Sequence, residues 1–353
     1  MRTADFDFDL PDDRIALRPP ARREDARLLH VARDALADRQ MTDLPDLLRA
    51  GDVLVLNDTR VLAAALRGVR PARPTGGGGP AQIDVNLLAP LGEDRWRCLV
   101  RPAKRLRPGD LVDFGGSGRT QALTGLVETR EGAEVVFRFA TQGDLAAAFD
   151  AAGFMPLPPY IARQRPADET DRTRYQTVFA REPGSVAAPT AGLHLTDGLL
   201  DTVKAKGVRL AMLTLHVGAG TFLPVKTEDT DDHAMHAERG RVSEEAAETI
   251  RGASRVVCVG TTSLRLVETA ARGGEVRPFD GETDLFITPG FRFRACDVLL
   301  TNFHLPRSTL FMLTCAFAGT ERMKAAYAHA VRTGYRFYSY GDACLLERDP
   351  DAA

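Results

Sequence analysis

The chain carries two textures of hydrophobic and polar positions, and the change of texture falls near residues 66 and 153. Asp52–Leu56 carries the continuous apolar run Val53–Leu56, which predicts a short strand buried on both faces. It delivers the polar residues Asn57-Asp58-Thr59-Arg60 to a strand end. From about Leu66 to Gly153 the apolar runs become short: QIDVNLLAP, RWRCLVRP, DLVDF, TQALTGLVET and EVVFRFA, separated by turns rich in Gly, Pro, Asp and Glu. That spacing predicts a small all-β sandwich or barrel. An Ala-rich helix over Gly143–Ala152 closes the region, and Pro156-Leu157-Pro158-Pro159 reads as a rigid linker.

Beyond the linker, helical and strand periods alternate. Thr196 caps a helix over Asp197–Lys206 that stops at Gly207, and the apolar run Val208–Leu215 follows as a buried strand. Ser243 caps a helix to Arg251, and the strand Val256–Val259 leads through Gly260-Thr261-Thr262-Ser263 into a helix ending at Ala271. Strands are predicted at Asp284–Thr288 and Val298–Asn302, then a helix capped by Ser308 or Thr309 through Phe317. A Thr320-capped helix over Glu321–Arg332 and a last strand in YRFYSYGDACLL complete the chain. The pattern predicts an α/β fold: a mixed-sheet α/β domain from residues 1–65 and 154–353, interrupted by a small all-β barrel domain at 66–153.

Polar loops recur at the predicted strand ends, where α/β proteins collect ligands. They hold Asn57–Arg60; Thr190, Gly192 and His194 of GSVAAPTAGLHLT; His216, Gly218, Gly220 and Thr221; Thr261–Ser263; and Asn302 through Arg307 and Ser308. Each has a plainer reading. Gly218-Ala219-Gly220 lacks the third glycine and following helix of a dinucleotide fingerprint, and a histidine at a strand end is often a hydrogen-bonded structural residue. Thr261–Ser263 can hold a carboxylate or phosphate, or simply cap a helix. DHAMHAE (Asp232–Glu238) places His233, His236 and Glu238 together, but no further ligand cluster lies nearby in sequence, so no metal is expected.

Composition narrows the classes. The formal net charge of −2 over 353 residues excludes a global basic field. Local clusters remain: Arg14, Arg18, Arg22, Arg23 and Arg27 read as a solvated face, and Arg101, Lys104, Arg105 and Arg107 as a candidate RNA-backbone contact. The 5 cysteines are scattered without a C-x-x-C pair, as expected of buried free thiols in a reducing compartment. The N-terminus is acidic, with no apolar signal segment, and the Leu310–Ala318 run is too short to span a bilayer. A cytoplasmic protein without membrane association is expected. The residues alone reach an α/β enzyme with a polar, glycine-rich cleft.

GDVLVLNDTRV, PLPPYI, RYQTVFA, GSVAAPTAGLHLT, LTLHVGAGTF, HAMHAE, VGTTSLR, LTNFHLPRSTL, AFAG and YRFYSYGDA, in this order, resemble the S-adenosylmethionine:tRNA ribosyltransferase-isomerases of queuosine biosynthesis. The resemblance runs from Met1 to about Leu345 and is weakest over the β insert. It implies an α/β domain with an inserted β-barrel. It also implies that S-adenosylmethionine is consumed as a ribosyl donor, a co-substrate and not a cofactor; no other cofactor is expected. The acceptor is the aminomethyl group of 7-aminomethyl-7-deazaguanine at the wobble position of a tRNA, and the products are epoxyqueuosine-tRNA, adenine and methionine. A monomer is expected.

That chemistry needs a base for the C5′ proton next to the sulfonium, a proton for departing adenine and a neutral amine. His194 and His216 are the leading acid–base candidates, with Asp58, His236 and Glu238 as second-line orienters or bases. Thr261, Thr262 and Ser263 are assigned to an anion or the methionine carboxylate, Gly218, Gly220 and Thr221 to close approach by the nucleoside. Asn302, Arg307 and Ser308 are assigned to ribose or tRNA, and Asn57, Thr59, Arg60, Thr190 and Gly192 to the substrate-binding loops. The sequence departs from the family pattern at Ala63-Ala64-Ala65-Leu66, where Pro-Ala-Arg-Leu is usual, at Leu195 for Phe and at Cys344 for Met. An S-adenosylmethionine methyltransferase is disfavoured because no strand–GxGxG–helix unit with an acidic ribose ligand appears. A non-catalytic RNA-binding protein would leave the polar strand-end loops without a purpose.

Overall fold

The Asp52–Asn57 strand is buried along its whole length because both its faces are covered. With the two-residue period of a strand, Val53 and Val55 enter one apolar cluster while Leu54 and Leu56 enter another. Helices Glu244–Arg251, Thr261–Ala270, Thr309–Ala318 and Thr320–Arg332 cover the first face, and helix Asp197–Ala205 the second. The computed structural model describes residues 1–75, 77–92, 94–115, 123–218, 225 and 227–351.

Asp52–Asn57 lies near the middle of a 9-stranded sheet. In order across the sheet the strands are Phe279–Thr283, Glu238–Val242, Arg209–Leu215, Asp52–Asn57, Arg255–Val259, Val298–Asn302, Ala343–Glu347, Arg27–Val31 and Leu36–Gln40. Arg209–Leu215, Asp52–Asn57, Arg255–Val259 and Val298–Asn302 run parallel, and antiparallel strands flank them on both sides, so the sheet is mixed. The parallel strands therefore end along one edge, at Asn57, His216, Gly260 and Asn302.

Strands Ala65–Arg70, Ala81–Pro90, Arg95–Arg101, Leu111–Asp113, Leu123–Glu131 and Glu134–Thr141 close into an antiparallel barrel. Its core holds Phe114, Phe137 and Phe139, and the helix Leu145–Ala152 closes it by setting Phe149 edge-on to Trp96 and Phe139. Asp144 caps that helix by accepting from the Ala147 N–H at 2.8 Å. The barrel joins the α/β sheet where Ala65 bridges Phe154 and Asp150 accepts from Arg60 at 2.6 Å and from the Ala63 N–H at 3.2 Å.

Most predicted elements fall where the capping residues placed them: Thr196 and Ser243 each accept from a first-turn N–H, at 3.2 Å. Asp284–Thr288 is not a strand. The strand is Phe279–Thr283 (FDGET), an edge strand whose alternating exposure lets it carry Asp280 and Glu282. Gly319 (φ 88°), not Thr320, caps the last long helix. In YRFYSYGDACLL the strand is confined to its end, as Ala343–Glu347, and the preceding residues are irregular. All 5 cysteines are buried and unpaired. Among the described residues no helix is long and apolar enough to cross a membrane, and no group of three or more His, Cys, Asp or Glu gathers as a metal site.

Candidate active site

At the common edge of the parallel strands, Asn57 splices two strand ends together. Its Nδ2 donates to the Leu215 carbonyl at 3.0 Å, and its Oδ1 accepts from the N–H groups of Leu215 (3.0 Å) and Thr59 (3.2 Å). The amide is thus committed to backbone, and it fixes the place from which Thr59 and His216 project. The Thr59 hydroxyl lies 2.9 Å from Ser185 Oγ and 2.9 Å from His216 Nδ1. A hydroxyl has one proton to give. With that proton on Ser185, Thr59 receives the Nδ1–H of His216, and Nε2 keeps the lone pair a base needs. Ser185 is itself anchored by accepting from the Val217 N–H at 2.7 Å.

Burial lowers the pKa of His216 below the usual imidazole value, against the opposing pull of Asp58 and Glu182. Asp58 accepts from Thr214 Oγ1 and from Arg181, each at 2.7 Å, and burial raises its pKa. The His216 ring lies directly over Gly184 (φ +150°), where an added Cβ would sit 2.8 Å from ring atoms. Gly184→Ala is therefore expected to displace the imidazole and cut turnover by about 10²-fold, the scale of a 1 Å misplacement in an active site. The turnover of the purified variant measures this.

A second set of groups borders a cleft of about 590 Å³, part of it open solvent. Thr190, Thr261, Thr262, Asn302, His304 and Tyr338 are among its lining residues. Thr190 Oγ1 donates to Asn302 Oδ1 at 2.8 Å, and Asn302 Nδ2 stands 3.2 Å from His194 Nε2. Burial, then the charges of Arg336 and Arg23, push His194 down to about 4. His194 is thus a neutral partner of Asn302, and it borders a small recess with Pro19, Pro20 and Arg174. The two histidines belong to separate hydrogen-bond sets, one through Asn302 and one through Thr59. Gly260 (φ 87°) gives helix Thr261–Ala270 no side-chain cap, so its first-turn N–H groups are left for another partner. Thr262 Oγ1 is buried without a partner among the described residues, whereas Ser263 Oγ donates to the Val259 carbonyl at 2.8 Å.

The remaining candidates are placed as follows. Glu238 is buried, accepting from Arg265 Nη1 at 2.6 Å and from the Gly218 N–H at 3.0 Å. His236 is exposed. Arg60 is turned to Asp150 of the helix that closes the barrel. Gly192 makes room for Phe179, whose Cζ would lie 2.8 Å from an added Cβ. Ser308 caps helix Thr309–Ala318 by accepting from the Phe311 N–H at 3.2 Å, and Arg307 is exposed with φ 56°. Gly220 and Thr221 lie outside the described residues. Of the N-terminal arginines, Arg23 donates to the carbonyls of Leu193, Thr173 and Gln176, and Arg18 pairs with Asp168, so these stitch the chain together.

The family model described as queuosine biosynthesis protein matches residues 3–346. The chain belongs to that family. It is 58% identical over 365 residues to the S-adenosylmethionine:tRNA ribosyltransferase-isomerase of Caulobacter vibrioides, covering 99% of each chain. It is 56% identical over 355 residues to the protein of that name from Maricaulis maris, again covering 99% of each. A crystal structure of S-adenosylmethionine tRNA ribosyltransferase from Thermotoga maritima is 32% identical, with a TM-score of 0.52 over 97% of this chain and 99% of that one.

In this member of the queuosine biosynthesis family, three departures from the usual pattern fall in packing positions: Ala63 is buried at the barrel junction with its carbonyl against Gly153, and Leu195 and Cys344 are buried in the two sheet-face clusters. Ala65, where Arg is usual, is half-buried at the bridge to Phe154. Sequence reasoning missed Gly184, Ser185, Arg265, His304 and Tyr338. Gly184-Ser185 carried a signal, since both stand in the glycine-rich stretch that leads to His194. Arg265 carried none, because a helical arginine is ordinarily a surface residue.

Proposed function

We propose that this chain transfers and isomerises the ribosyl moiety of S-adenosylmethionine onto 7-aminomethyl-7-deazaguanine at a tRNA wobble position, releasing adenine and methionine. The observation that carries the reading is the full-length match to relatives bearing the ribosyltransferase-isomerase name. In this reading His216 Nε2 removes the C5′ proton, with Thr59 and Ser185 fixing the ring's tautomer and orientation. The uncapped start of helix Thr261–Ala270 and the Thr262 hydroxyl suit the methionine carboxylate, charge meeting aligned N–H groups. His194 orients Asn302 and serves as a positioning residue. The chain acts in the cytoplasm as a monomer, without a resident cofactor or metal. Its inserted domain spans 66–153 between the two segments of the catalytic domain.

The tRNA would meet exposed cations on two elements. Arg292 and Arg294 are exposed, and the buried Glu268 holds their segment by accepting from the Arg294 N–H at 2.8 Å. Arg101, Lys104, Arg105 and Arg107 are exposed on the barrel. Strands Ala65–Arg70 and Arg95–Arg101 both run antiparallel to Ala81–Pro90, and the first starts at the Phe154 junction. The Arg101–Arg107 cluster therefore follows a strand that leads away from the junction. Replacing its cations by Ala is expected to lower the salt dependence of tRNA binding by about one unit of log–log slope per lost contact, with the KM for S-adenosylmethionine unchanged. Filter binding across a salt series measures it, and an unchanged slope removes this surface from the RNA path.

The function itself is tested by incubating the protein with S-adenosylmethionine and tRNA bearing the aminomethyl-deazaguanine, then following nucleoside mass and free adenine. A ribosyl-sized mass gain matched by adenine is expected. Methylation without adenine would replace the reading with methyl transfer.

A further inference from the structure

Among the described residues, His304 is the imidazole that lines the 590 Å³ cleft, and neither His194 nor His216 borders it. Its Nε2 is bonded to Thr301 Oγ1 at 3.0 Å, and its backbone N–H donates to the Tyr327 hydroxyl at 3.0 Å. Ring and backbone are both fixed, and Nδ1 has no partner among the described residues. Tyr338 borders the same cleft. Its N–H donates to the Phe303 carbonyl at 2.9 Å, which holds the Tyr338 turn against the His304 loop. Tyr338 has φ 76°, a region a bulky residue rarely adopts. The edge-to-face contact with Tyr160, at 4.3 Å between ring centroids, helps hold it there. Such strain collects where a side chain is needed in one place.

We propose that His304 and Tyr338 form the nucleobase wall of the cleft, Tyr338 supplying an aromatic surface and His304 Nδ1 a hydrogen bond to the edge of a purine-type base. This rests on the ribosyl-transfer reading, which supplies two such bases: the adenine of S-adenosylmethionine and the deazaguanine of the tRNA. Burial pushes His304 down to about 3, so the imidazole is neutral and suits an uncharged base. The pair acts by binding and orientation, with no proton transfer through His304.

The test compares His304→Ala, His304→Asn, His304→Gln, Tyr338→Ala and Tyr338→Phe in the full chain, with each substrate varied separately. An Asn amide lies near the position of Nδ1, whereas Gln reaches toward that of Nε2. His304→Ala and His304→Gln are expected to raise a substrate KM by about tenfold, the scale of one lost hydrogen bond, and His304→Asn to recover it to within about threefold. Tyr338→Phe should match the parent, and Tyr338→Ala should raise the same KM. A rise confined to S-adenosylmethionine assigns the wall to adenine; a rise confined to tRNA assigns it to deazaguanine. Unchanged KM values in His304→Ala, or an Asn variant as impaired as Gln with an equal fall in Tm, overturn the proposal. Failure of the parent protein to release adenine would instead overturn the ribosyl-transfer reading.

Discussion

His216→Ala is expected to lower adenine release by about 10²–10⁴-fold in protein that still folds, the range by which a positioned general base accelerates a reaction. The ring is half-buried, bonded through Nδ1 to Thr59, and set over a glycine that leaves it room. Removing it leaves Asn57, which holds the strand ends together, intact. Thr59→Val should cost less than the loss of the ring, because the imidazole stays while its orienting hydroxyl goes. Near-normal turnover in His216→Ala, with an unchanged melting curve, would exclude this residue as the base.

The pH profile separates a base from a merely structural ring. Burial lowers the pKa of His216, and a base works in its unprotonated form. Activity is therefore lost as pH falls through that lowered value, and the acid limb of kcat/KM should lie below about 6.5, the ordinary imidazole pKa. Asp58 raises the pKa of His216. Asp58→Asn removes that pull, so the limb should move to still lower pH. A limb that stays in place would mean that another group titrates.

How far the sequence reached depends on whether a residue's neighbours are local. The buried strand at Asp52–Asn57 was legible because continuous apolar residues specify burial on both faces, and the helices at Asp197 and Ser243–Glu244 because their caps are adjacent in sequence. The strand Glu238–Val242 was not legible: ERGRV has polar residues where a core strand would be apolar, and it is held by partners at Thr214 and Phe279–Thr283. The resemblance drew attention to the loops but not to their pairing. His216 finds Thr59 across 157 positions and His194 finds Asn302 across 108, and no periodicity carries such a distance. For the same reason His194 and His216, at the two ends of one loop–helix–strand unit, do not share a hydrogen-bond set. Among the described residues His304, in a stretch already noted for its polarity, is the imidazole that borders the cleft.

Arg265→Ala is expected to destabilise the fold by about 3–5 kcal/mol, because it removes the countercharge of a buried carboxylate. Arg265 and Glu238 are 4% and 6% exposed, so solvent cannot replace the lost partner. The guanidinium also donates from Nε to the Leu285 carbonyl at 2.9 Å, tying helix Thr261–Ala270 to the chain beyond Phe279–Thr283. The urea midpoint measures the loss. Arg265→Met with Glu238→Leu should cost less than Arg265→Ala alone, since neither charge is then left in the interior. Glu238→Gln separates the two roles open to Glu238. Its amide keeps an oxygen for the Gly218 N–H but meets Arg265 without a charge. If turnover per folded molecule stays normal, the charge of Glu238 has no part in the chemistry. If turnover collapses while the urea midpoint holds, the carboxylate takes part in the proton transfers, and the ion pair must open during the reaction.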